Sequence, residues 1–546
     1  MIRGSVAEAF DTAAAQWRDR PFLHILGETA HRYGIASGPL PYGEAAAEIA
    51  GIRARYRASG YGPRHRVGLM LENRPAFFLH WLALNGLGVS VVPLNPDLRP
   101  AELDHLAAHS EIVLAVGAGD HVGALEACAA RTGAQFAVAR DDAERIPATA
   151  LPCARPDQVS GPASECAVLY TSGTTGRPKG CVLSNEYFLR CGRWYNAIGG
   201  ACRVEPGAER LLTPLPMVHM NAMACSSMAM ILSGGCVIPL DRFHPRSWWD
   251  SVRESRATIV HYLGIMPSLL LAAAPDGRDR DHTVRFGFGA GVDRRHHAPF
   301  EARFGFPLLE AWAMTETGAG AMIIDNREPR RIGTNCFGRP EAAIETRIVG
   351  EDGAPVATGE PGELLVRAAG PDPHAGFFTE YLKDAAATRE AWDGGWFHTG
   401  DVVRADAEGY LYFVDRKKNL IRRSGENIAA VEVETVLRRH PLVREVAVAA
   451  THDELRGEEV LACVVPREMS TPARMAEVAA EIVGAALADL AYYKVPGWVA
   501  FVETLPLTAT QKIDRAALKA EARTLPGSAA CIDTRALKRR PSGTGP

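Results

Sequence analysis

Short apolar runs alternate with helix-like stretches along the first part of the chain. Residues 66–71, 89–94 and 112–116 have the apolar, β-branched composition of buried strands. Helix-like stretches at residues 75–84 and 100–110 separate them. Because short strands that alternate with helices are typical of parallel sheets covered by helices, the pattern predicts a layered α/β fold.

The length of the chain and a change in its composition predict several domains. At 546 residues the chain exceeds what one hydrophobic core normally serves. From about residue 333 it becomes rich in β segments punctuated by Gly and Pro, and after Arg416 a smaller α/β module begins. We predict a large N-terminal domain of layered α/β subdomains plus a β-rich subdomain at residues 1–416. A small mobile C-terminal α+β domain at 417–523 and a flexible tail at 524–546 would follow.

Composition and charge limit the partners that the chain can have. Hydrophobic residues make up 47%, charged residues 23%, and the net charge is −4, as in ordinary soluble globular proteins. The only notable basic run, residues 538–540, is too short to support nucleic-acid binding. The longest apolar stretch, residues 77–94, is interrupted by His80, Asn85 and glycines, so it predicts a buried helix and strand and no membrane span.

The cysteines and the N-terminus indicate the compartment. Eleven cysteines are scattered along the chain, without a C-x-x-C pair and without a His/Cys cluster at zinc spacing. Reduced thiols in a reducing compartment fit this pattern best. The N-terminus lacks the sustained apolar core of a signal peptide. We therefore predict a cytoplasmic protein.

A glycine-rich stretch at residues 170–180, Y-T-S-G-T-T-G-R-P-K-G, lies between the apolar run 167–169 and a helix-like stretch from Ser184. Glycines let a backbone turn its N–H groups inward, and hydroxyls and a lysine add further donors for an oxyanion. The spacing differs from the common P-loop, in which lysine directly follows the last glycine. The stretch predicts a phosphate-binding loop, with a solvated linker as the alternative.

Seven further stretches carry residue types suited to nucleotide and acyl chemistry. They are L-P-M-V-H at 215–219, G-F-G-A-G at 287–291, E-A-W-A-M-T-E at 310–316, W-F-H-T-G-D at 396–401, D-R-K-K-N at 415–419, R-R-S-G-E-N at 422–427 and L-P-L-T-A-T-Q-K-I-D-R at 505–515. Trp312 offers adenine a stacking face, and Glu316 is a carboxylate that can hold the hard cation accompanying ATP. Asp401 can accept hydrogen bonds from two vicinal hydroxyls. Taken singly, His219 is more typical of a core or surface histidine and Lys512 of a surface lysine, while a helix cap is the minor alternative for Thr315.

The order and content of these stretches resemble the AMP-forming adenylating enzymes, which include acyl-CoA synthetases, peptide-synthetase adenylation domains and luciferases. The resemblance covers about residues 10–522 and is greatest to the carnitine/crotonobetaine-CoA ligase type, through residues 413–418 and 423–427. The chain departs from the family at Trp312, where tyrosine is usual, and at Ala313 and Gln511, where glycine is usual. Phe288 also stands where glycine is frequent.

The resemblance assigns a role to each matching residue. Nucleotide binding is implied for Thr171, Ser172, Gly173, Thr174, Thr175, Lys179, Gly289, Ala290, Ala311, Trp312, Asp401 and Arg416. Catalytic roles are implied for Lys512, Thr315, Glu316 and His219, with Glu316 as the metal ligand. Lys418 would be the hinge, Arg422, Gly425 and Glu426 would serve the CoA-dependent thioester step, and the acyl pocket would contain His219, Met223, Tyr262, Phe288 and Trp312.

The resemblance also implies the reaction and the small molecules that it needs. With ATP, Mg²⁺ and coenzyme A, the enzyme would convert a carboxylic acid into acyl-AMP and pyrophosphate and then pass the acyl group to the CoA thiol. An adenylation enzyme that loads a carrier protein in trans is the alternative, and an idle binding protein with the same fold is a second one. The identity of the acid and the formation of a homodimer stay open at this point.

Overall fold

The computed structural model describes residues 4–98, 100–133, 136–151, 153, 160–171, 178–423, 426–454, 456–468, 471–490, 492–508 and 512–538. Contacts between residues divide the chain into two compact units. Unit 1 contains Met1–Thr346, Leu365–His398 and Asp406–Tyr412, and unit 2 contains Arg347–Leu364, Thr399–Ala405 and Phe413–Pro546. The predicted boundary between residues 416 and 417 stays a prediction, because this division also assigns two earlier segments to unit 2.

Helices cover the sheets throughout the described part of the chain. The α-helices are α1 Val6–Gln16, α2 Gly27–Tyr33, α3 Tyr42–Ala58, α4 Pro75–Asn85, α5 Pro100–Ser110, α6 Val122–Thr132, α7 Asn185–Ala197, α8 Ser227–Ser233, α9 Trp248–Ser255, α10 Ile265–Leu271, α11 Arg294–Phe304, α12 Ala385–Ala391, α13 Ala430–Leu437, α14 Pro472–Asp489 and α15 Arg515–Ala522. Shorter 3₁₀ turns are Gly119–His121, Gly200–Cys202, Gly318–Gly320, Asp393–Gly395, Lys417–Asn419 and Arg535–Leu537, and Asn221–Ser226 is a π-helical turn.

The first strands alternate with these helices, and many of the later ones form antiparallel pairs. The strands of the first half are β1 Pro21–Ile25, β2 Gly38–Pro41, β3 Arg66–Met70, β4 Ser90–Pro93, β5 Leu114–Gly117, β6 Ala137–Arg140, β7 Glu165–Thr171, β8 Lys179–Ser184, β9 Arg210–Thr213, β10 Cys236–Pro239, β11 Ile259–Leu263, β12 Phe286–Ala290, β13 Leu308–Trp312 and β14 Ile323–Ile324. The remaining strands are β15 Cys336–Gly338, β16 Ile344–Val349, β17 Gly362–Ala368, β18 Glu380–Tyr381, β19 Phe397–Ala405, β20 Leu411–Arg416, β21 Leu420–Arg423, β22 Glu426–Ala429, β23 Val443–Asp453, β24 Gly457–Pro466, β25 Trp498–Phe501 and β26 Cys531–Asp533.

The strands form four sheets. Unit 1 contains an eight-stranded sheet in the order β14-β13-β12-β11-β9-β10-β1-β2 and a seven-stranded sheet in the order β18-β8-β7-β4-β3-β5-β6. A five-stranded sheet has the order β15-β20-β19-β17-β16. The sheet of unit 2 has the order β22-β21-β24-β25-β26, with β23 also paired to β24. The predicted mixed α/β architecture, with a large and a small part, is confirmed.

Parallel pairing in unit 1 follows from the sequence pattern. Strands β3, β4 and β5 are parallel neighbours, and nearly all of their residues are buried. Helix α4 between them is buried along most of its length, as its apolar sequence predicts. Burial on both faces explains why these strands read as continuous apolar runs and not as alternating ones.

The end of the chain differs from the prediction. Residues 524–546 were expected to form a flexible tail, but β26 (Cys531–Asp533) pairs antiparallel with β25, and a 3₁₀ turn at Arg535–Leu537 follows. The sequence of this segment is short and polar and gives little indication of a strand. Strand β26 pairs with the edge of β25, whose backbone groups would otherwise be unpaired, and the sequence could not reveal this partner. The prediction was therefore wrong for the described part of this segment, up to residue 538. No helix among the described residues has the length and apolarity that a membrane crossing requires.

Candidate active site

The glycine-rich stretch connects two antiparallel strands, with the predicted helix following only after the second. Strand β7 pairs with β8, and Thr171 lies opposite Lys179 in the register. Helix α7 then begins after Ser184, whose Oγ accepts the N–H of Tyr187 at 3.2 Å. The predicted residues Ser172, Gly173, Thr174 and Thr175 lie outside the described residues. Strand pairing alone therefore brings Thr171 and Lys179 together, at the two ends of the loop.

Glu316 is the buried carboxylate next to these residues. Its side chain accepts a hydrogen bond from the Thr171 hydroxyl at 3.4 Å and from the Tyr381 hydroxyl at 3.0 Å, both on Oε1. The Lys179 ammonium lies 4.7 Å from the centroid of the Tyr381 ring. Three predicted residues, Thr171, Lys179 and Glu316, thus form one cluster. It joins a carboxylate, a hydroxyl and a cation, which are the groups that a phosphate with its metal ion needs.

Tyr381 is a member of this cluster that the sequence did not reveal. It lies on β18, which pairs antiparallel with β8 so that Tyr381 is opposite Cys181. Burial and the Glu316 charge raise the pKa of Tyr381, and the same causes raise the pKa of Cys181. Tyr381 therefore stays protonated and remains a donor to Glu316. Tyr381 lies on a two-residue strand far along the chain, and nothing in the sequence indicates which strand it pairs with. Only the fold could therefore reveal its contact with Glu316.

Thr315 lies in a turn and not at the start of a helix. Its carbonyl oxygen accepts a hydrogen bond from the Tyr187 hydroxyl at 2.9 Å. The Thr317 hydroxyl accepts the Met314 N–H at 2.9 Å, which closes the turn, and a short 3₁₀ turn at Gly318–Gly320 follows. The helix-cap interpretation of Thr315 therefore does not hold. The side chain of Thr315 stays partly exposed.

The predicted adenine-binding residues lie at the ends of two neighbouring parallel strands. Gly289 must be glycine, because a Cβ there would come within 2.3 Å of the Tyr262 carbonyl oxygen. Ala290 ends β12 and is exposed, while Trp312 ends β13 and is buried. Ligands of α/β sheets commonly bind at the carboxyl ends of parallel strands, so this edge suits a bound nucleotide.

The predicted acyl-pocket residues do not all share one face of the sheet. In the register of β11 and β12, His261 is opposite Phe288 and Tyr262 is opposite Gly289. Because successive side chains of a strand point to opposite faces, Phe288 shares a face with His261 and not with Tyr262. The Phe288 ring lies 5.0 Å from the His261 ring and 4.8 Å from the Tyr195 ring. The structure therefore does not bring Tyr262 together with Phe288.

His261 is a buried residue on this face that the sequence analysis missed. Its Nδ1 lies 2.8 Å from Asn221 Oδ1 and 2.9 Å from Ser226 Oγ, and its Nε2 lies 2.9 Å from the Tyr195 hydroxyl oxygen. Burial lowers the pKa of His261 to about 3, so its imidazole is neutral at physiological pH. The pairing of β11 with β12 sets this register, so the sequence alone carries no signal that His261 lies beside Phe288.

His219 precedes the π-helical turn Asn221–Ser226, and Met223 lies within this turn. The Met223 N–H donates to the His219 carbonyl oxygen at 3.0 Å, and Met223 is fully buried, whereas His219 is partly exposed. A π-helical turn is rare and often occurs at functional sites. These positions fit the predicted pocket wall, with His219 at its more accessible end.

In unit 2, Asp401 and Arg416 form an ion pair. Asp401 is buried, and its Oδ1 lies 2.5 Å from Arg416 Nε. The Asp401 N–H donates to the Thr399 hydroxyl, which itself donates to the Leu364 carbonyl oxygen at 2.7 Å. The structure therefore brings together the two residues expected to contact ribose, on β19 and at the end of β20.

Lys512 is hydrogen-bonded to Thr508 through its backbone. The Thr508 N–H donates to the Lys512 carbonyl oxygen at 2.7 Å, and the Lys512 N–H donates to the Thr508 hydroxyl at 3.3 Å. Although the Lys512 side chain is exposed by surface area, partial desolvation and the Arg416 charge lower its pKa. Within unit 2, the charge of Arg416, which is paired with Asp401, therefore acts on Lys512.

The remaining predicted residues are only partly described. Lys418 lies in the 3₁₀ turn Lys417–Asn419, Arg422 on β21, and Glu426 at the start of β22, but their side chains lie outside the described residues. Gly425 also lies outside them. Their roles in the hinge and the thioester step stay predictions.

Two further features of the described residues bear on the site. No group of three or more His, Cys, Asp or Glu side chains that could hold a metal ion occurs there. A cavity of about 370 Å³ in unit 1 is lined by residues that include Trp194, Asp325, Arg339 and Tyr410, and no predicted site residue lines it. Glu316 is thus a metal ligand only if phosphate oxygens complete the coordination, as Mg²⁺ commonly requires.

Comparison with known proteins gives a consistent picture. The profile of the AMP-binding enzyme family matches residues 10–376, and that of the AMP-binding enzyme C-terminal domain matches residues 432–512. A sulfoacetate–CoA ligase of Cupriavidus necator is 33% identical over 527 residues, covering 93% of this chain and 97% of the relative. A crotonobetaine/carnitine–CoA ligase of Escherichia coli is 30% identical over 472 residues, covering 83% of this chain and 88% of the relative.

Solved structures share the fold. An o-succinylbenzoate CoA synthetase from Bacillus subtilis, in complex with its acyl-adenylate intermediate, superposes with a TM-score of 0.79 at 22% identity, covering 95% of this chain and 99% of that chain. ATP-bound MatB from Rhodopseudomonas palustris gives a TM-score of 0.76 at 24% identity, covering 94% and 98%. The expected family and the resemblance to the crotonobetaine/carnitine type are confirmed.

Proposed function

The chain belongs to the AMP-binding enzyme family, and we propose that it is an AMP-forming acid–CoA ligase. It would activate a carboxylic acid with ATP and transfer the acyl group to coenzyme A. The observation that carries the proposal is the cluster of Thr171, Lys179 and Glu316. Strand pairing brings Thr171 and Lys179 together, and Glu316 joins them through hydrogen bonds from Thr171 and Tyr381. The names of the two relatives support the CoA acceptor.

In the first step, a carboxylate oxygen of the acid attacks the α-phosphorus of ATP. The bond from this phosphorus to the oxygen that bridges to the β-phosphate breaks, and pyrophosphate leaves. Such transfers depend mainly on positioning and on neutralising charge. Lys179 and Lys512 would place cations on the phosphates, and Thr171 and Thr315 would donate hydrogen bonds. Removing one such donor typically costs about 100- to 1000-fold in rate.

Glu316 fits the role of the residue that holds Mg²⁺. Its two hydroxyl donors both reach Oε1, and a carboxylate has about four acceptor sites, so capacity for a cation remains. The ion neutralises phosphate charge when it is bound. Asp401 would accept hydrogen bonds from the ribose hydroxyls, with Arg416 fixing its orientation.

In the second step, the CoA sulfur attacks the carbonyl carbon of acyl-AMP. The bond from this carbon to the phosphate oxygen breaks, AMP leaves, and the thiol proton passes to water. We assign Arg422, Gly425 and Glu426 to this step and Lys418 to the hinge that precedes it. This assignment rests on the family resemblance of residues 415–427.

The acid would bind on the face of the sheet that carries Phe288. His219 and Met223 remain candidates for the pocket wall, and His261 joins Phe288 in place of Tyr262. In the register of β12 and β13, Trp312 lies on the same face as Tyr262 and not on that of Phe288. This face combines apolar side chains with one neutral polar cluster. It favours a carboxylic acid of moderate size that is largely apolar.

A panel of acids tests the proposed function. Purified protein with MgATP is offered sulfoacetate, crotonobetaine, carnitine, o-succinylbenzoate and aromatic and aliphatic acids, and pyrophosphate release is measured. Each active acid is then tested with CoA and, separately, with a pantetheine-bearing carrier protein. We expect acid-dependent pyrophosphate release and a CoA thioester. Transfer to the carrier protein alone would support the loading enzyme, and no pyrophosphate release with any acid would support an idle binding protein.

We propose that the protein is located in the reducing environment of the cytoplasm. All eleven cysteines are free thiols, and ten of them are buried. Buried free thiols fit a compartment in which disulfides do not persist.

A further inference from the structure

The C-terminal segment, residues 531–538, is joined to the sheet of unit 2 by backbone and side-chain bonds. Strand β26 pairs with β25 in the register Val499 to Ile532. The Thr534 N–H donates to the Gly497 carbonyl oxygen at 3.0 Å, and the Thr534 hydroxyl donates to the Pro496 carbonyl oxygen at 2.8 Å. The segment therefore follows a defined path up to Lys538.

Lys538 ends this path inside unit 2. Its Nζ donates to Glu459 Oε1 at 2.7 Å, and the side chains of Lys538 and Glu459 are 2% and 0% exposed. Gly497 leaves space for the carboxylate, because a Cβ there would lie 2.5 Å from the Glu459 carboxyl carbon. Burial lowers the pKa of Lys538 to about 8, and the Glu459 charge partly offsets this effect. A surface tail would not bury a lysine in this way.

The same carboxylate also holds Arg423. Arg423 Nε lies 2.9 Å from both Glu459 oxygens, and the Arg423 side chain is 6% exposed. Two cations thus share one buried anion, and the removal of either changes the charge balance around the other. Lys538 and Arg423 are coupled through Glu459 although they are far apart in sequence.

Arg423 is the last residue of β21 and lies opposite Glu426 of β22. It also pairs with Gly457 of β24, so the end of this strand is held by backbone and side chain together. The proposed function assigns the neighbouring residues Arg422 and Glu426 to the thioester step. A loss of order at Arg423 would therefore also disturb strands β21 and β22, to which this step is assigned.

We propose that Lys538 is a positioning residue for the thioester half-reaction, acting through Glu459 on Arg423 and strands β21 and β22. The proposal rests on the proposed function, since it assumes that these strands serve CoA transfer. Adenylation does not require this contact. The C-terminal segment is then a part of the enzyme that sets the efficiency of its second step.

Lys538→Met tests the proposal, because methionine keeps the apolar stem and removes the ammonium group. We expect kcat/KM for CoA to fall about tenfold, within the usual range of coupling between residues that share a partner. Pyrophosphate exchange should change less than about twofold, the size of effect expected for a site that the mutation does not reach.

Arg535→Met is the matched control. Arg535 lies in the same segment, contacts Asp453 at 3.2 Å and covers the Trp498 ring at 4.5 Å, and neither contact involves Glu459. If the segment only adds stability, both variants should lower the urea midpoint and affect CoA kinetics alike. Positioning through Glu459 predicts that only Lys538→Met lowers kcat/KM for CoA.

Hydrogen exchange gives a readout that is independent of activity. Amides of residues 420–423 and 426–429 should exchange faster in Lys538→Met and not in Arg535→Met. If Lys538→Met does not fold, Lys538→Gln, which keeps a donor without the charge, is compared in the same way. Equal exchange and equal CoA kinetics in the lysine and arginine variants would overturn the proposal. If the wild-type protein forms no CoA thioester, the proposed function fails, while the exchange comparison still decides whether Lys538 orders these strands.

Discussion

Two buried carboxylates of unit 1, Glu316 and Glu310, are held by neutral donors, whereas three of unit 2, Asp401, Glu434 and Glu459, are paired with cations. In unit 1, Glu316 accepts from the Thr171 and Tyr381 hydroxyls, and Glu310 accepts from the Val292 N–H at 2.8 Å. In unit 2 the contacts are Asp401 with Arg416, Glu434 with Arg515 at 2.6 Å, and Glu459 with Arg423 and Lys538.

The difference indicates what each region can accept. A carboxylate whose hydrogen bonds come from neutral donors is not neutralised by them, so it can take up an incoming cation or proton. A carboxylate bonded to a guanidinium group is already neutralised, and the pair has a fixed geometry. Unit 1 therefore suits a residue that receives Mg²⁺ with the nucleotide. The ion pairs of unit 2 instead suit a rigid region that holds Asp401 and Lys512 in position.

The largest expected effect comes from Lys512 of unit 2. We predict that Lys512→Ala lowers the rate of pyrophosphate exchange about 100- to 1000-fold, since it removes a donor to the developing phosphate charge. Thiol transfer from supplied acyl-AMP should survive. Lys519→Ala, at an exposed lysine of the same unit, is the control. Equal loss of both half-reactions would show that the assigned role is wrong.

Glu316→Gln tests the neutral-donor side of the comparison. The amide keeps an oxygen for the Thr171 and Tyr381 hydroxyls but loses the charge that would attract Mg²⁺. We expect pyrophosphate exchange to fall about 10- to 100-fold, as for residues that support a bound metal, with a higher Mg²⁺ concentration at half-maximal rate. Glu44→Gln, at an exposed position of unit 1, is the control. An unchanged Mg²⁺ dependence would contradict the role of Glu316.

Asp401→Asn tests the cation-paired side. Hydrogen bonds to charged groups are worth about 1.5–3 kcal/mol, so the KM for ATP should rise about tenfold or more. A double-mutant cycle with Arg416→Ala should be non-additive, because the two side chains are in contact. Additive effects would mean that Arg416 does not orient Asp401.

The remaining prediction concerns stability and comes from Glu310. Burial raises the pKa of Glu310 to about 7 from 4.5. Between these values the folded state binds more protons than the unfolded state, so Glu310 lowers stability as pH rises, by about 1.4 kcal/mol per pH unit. Glu310→Gln should therefore gain stability relative to the wild type from pH 4.5 to 7, measured as urea midpoints.

Glu434→Gln is the contrasting variant for that measurement. It leaves Arg515 without its charged partner in a buried setting, so it should lose stability throughout the same pH range. If both variants shift stability in the same direction, the distinction between neutral donors and cation pairs fails.

The sequence determined the family and the α/β layering, and it predicted the residues of the nucleotide site, because these depend on local patterns. Alternating apolar runs identify parallel strands, and Thr171, Lys179, Glu316 and Asp401 lie in short stretches of defined order. Helices α13 and α14 of unit 2 also follow from the helical spacing of their apolar residues.

The tertiary structure alone decided which side chains meet. Tyr381 joins Glu316 through a two-residue strand, His261 replaces Tyr262 beside Phe288 through the register, and Lys538 reaches Glu459 through an added edge strand. Each contact links residues that are distant in sequence and depends on strand partners. A sequence pattern records which face a residue can use, but not which strand lies next to it.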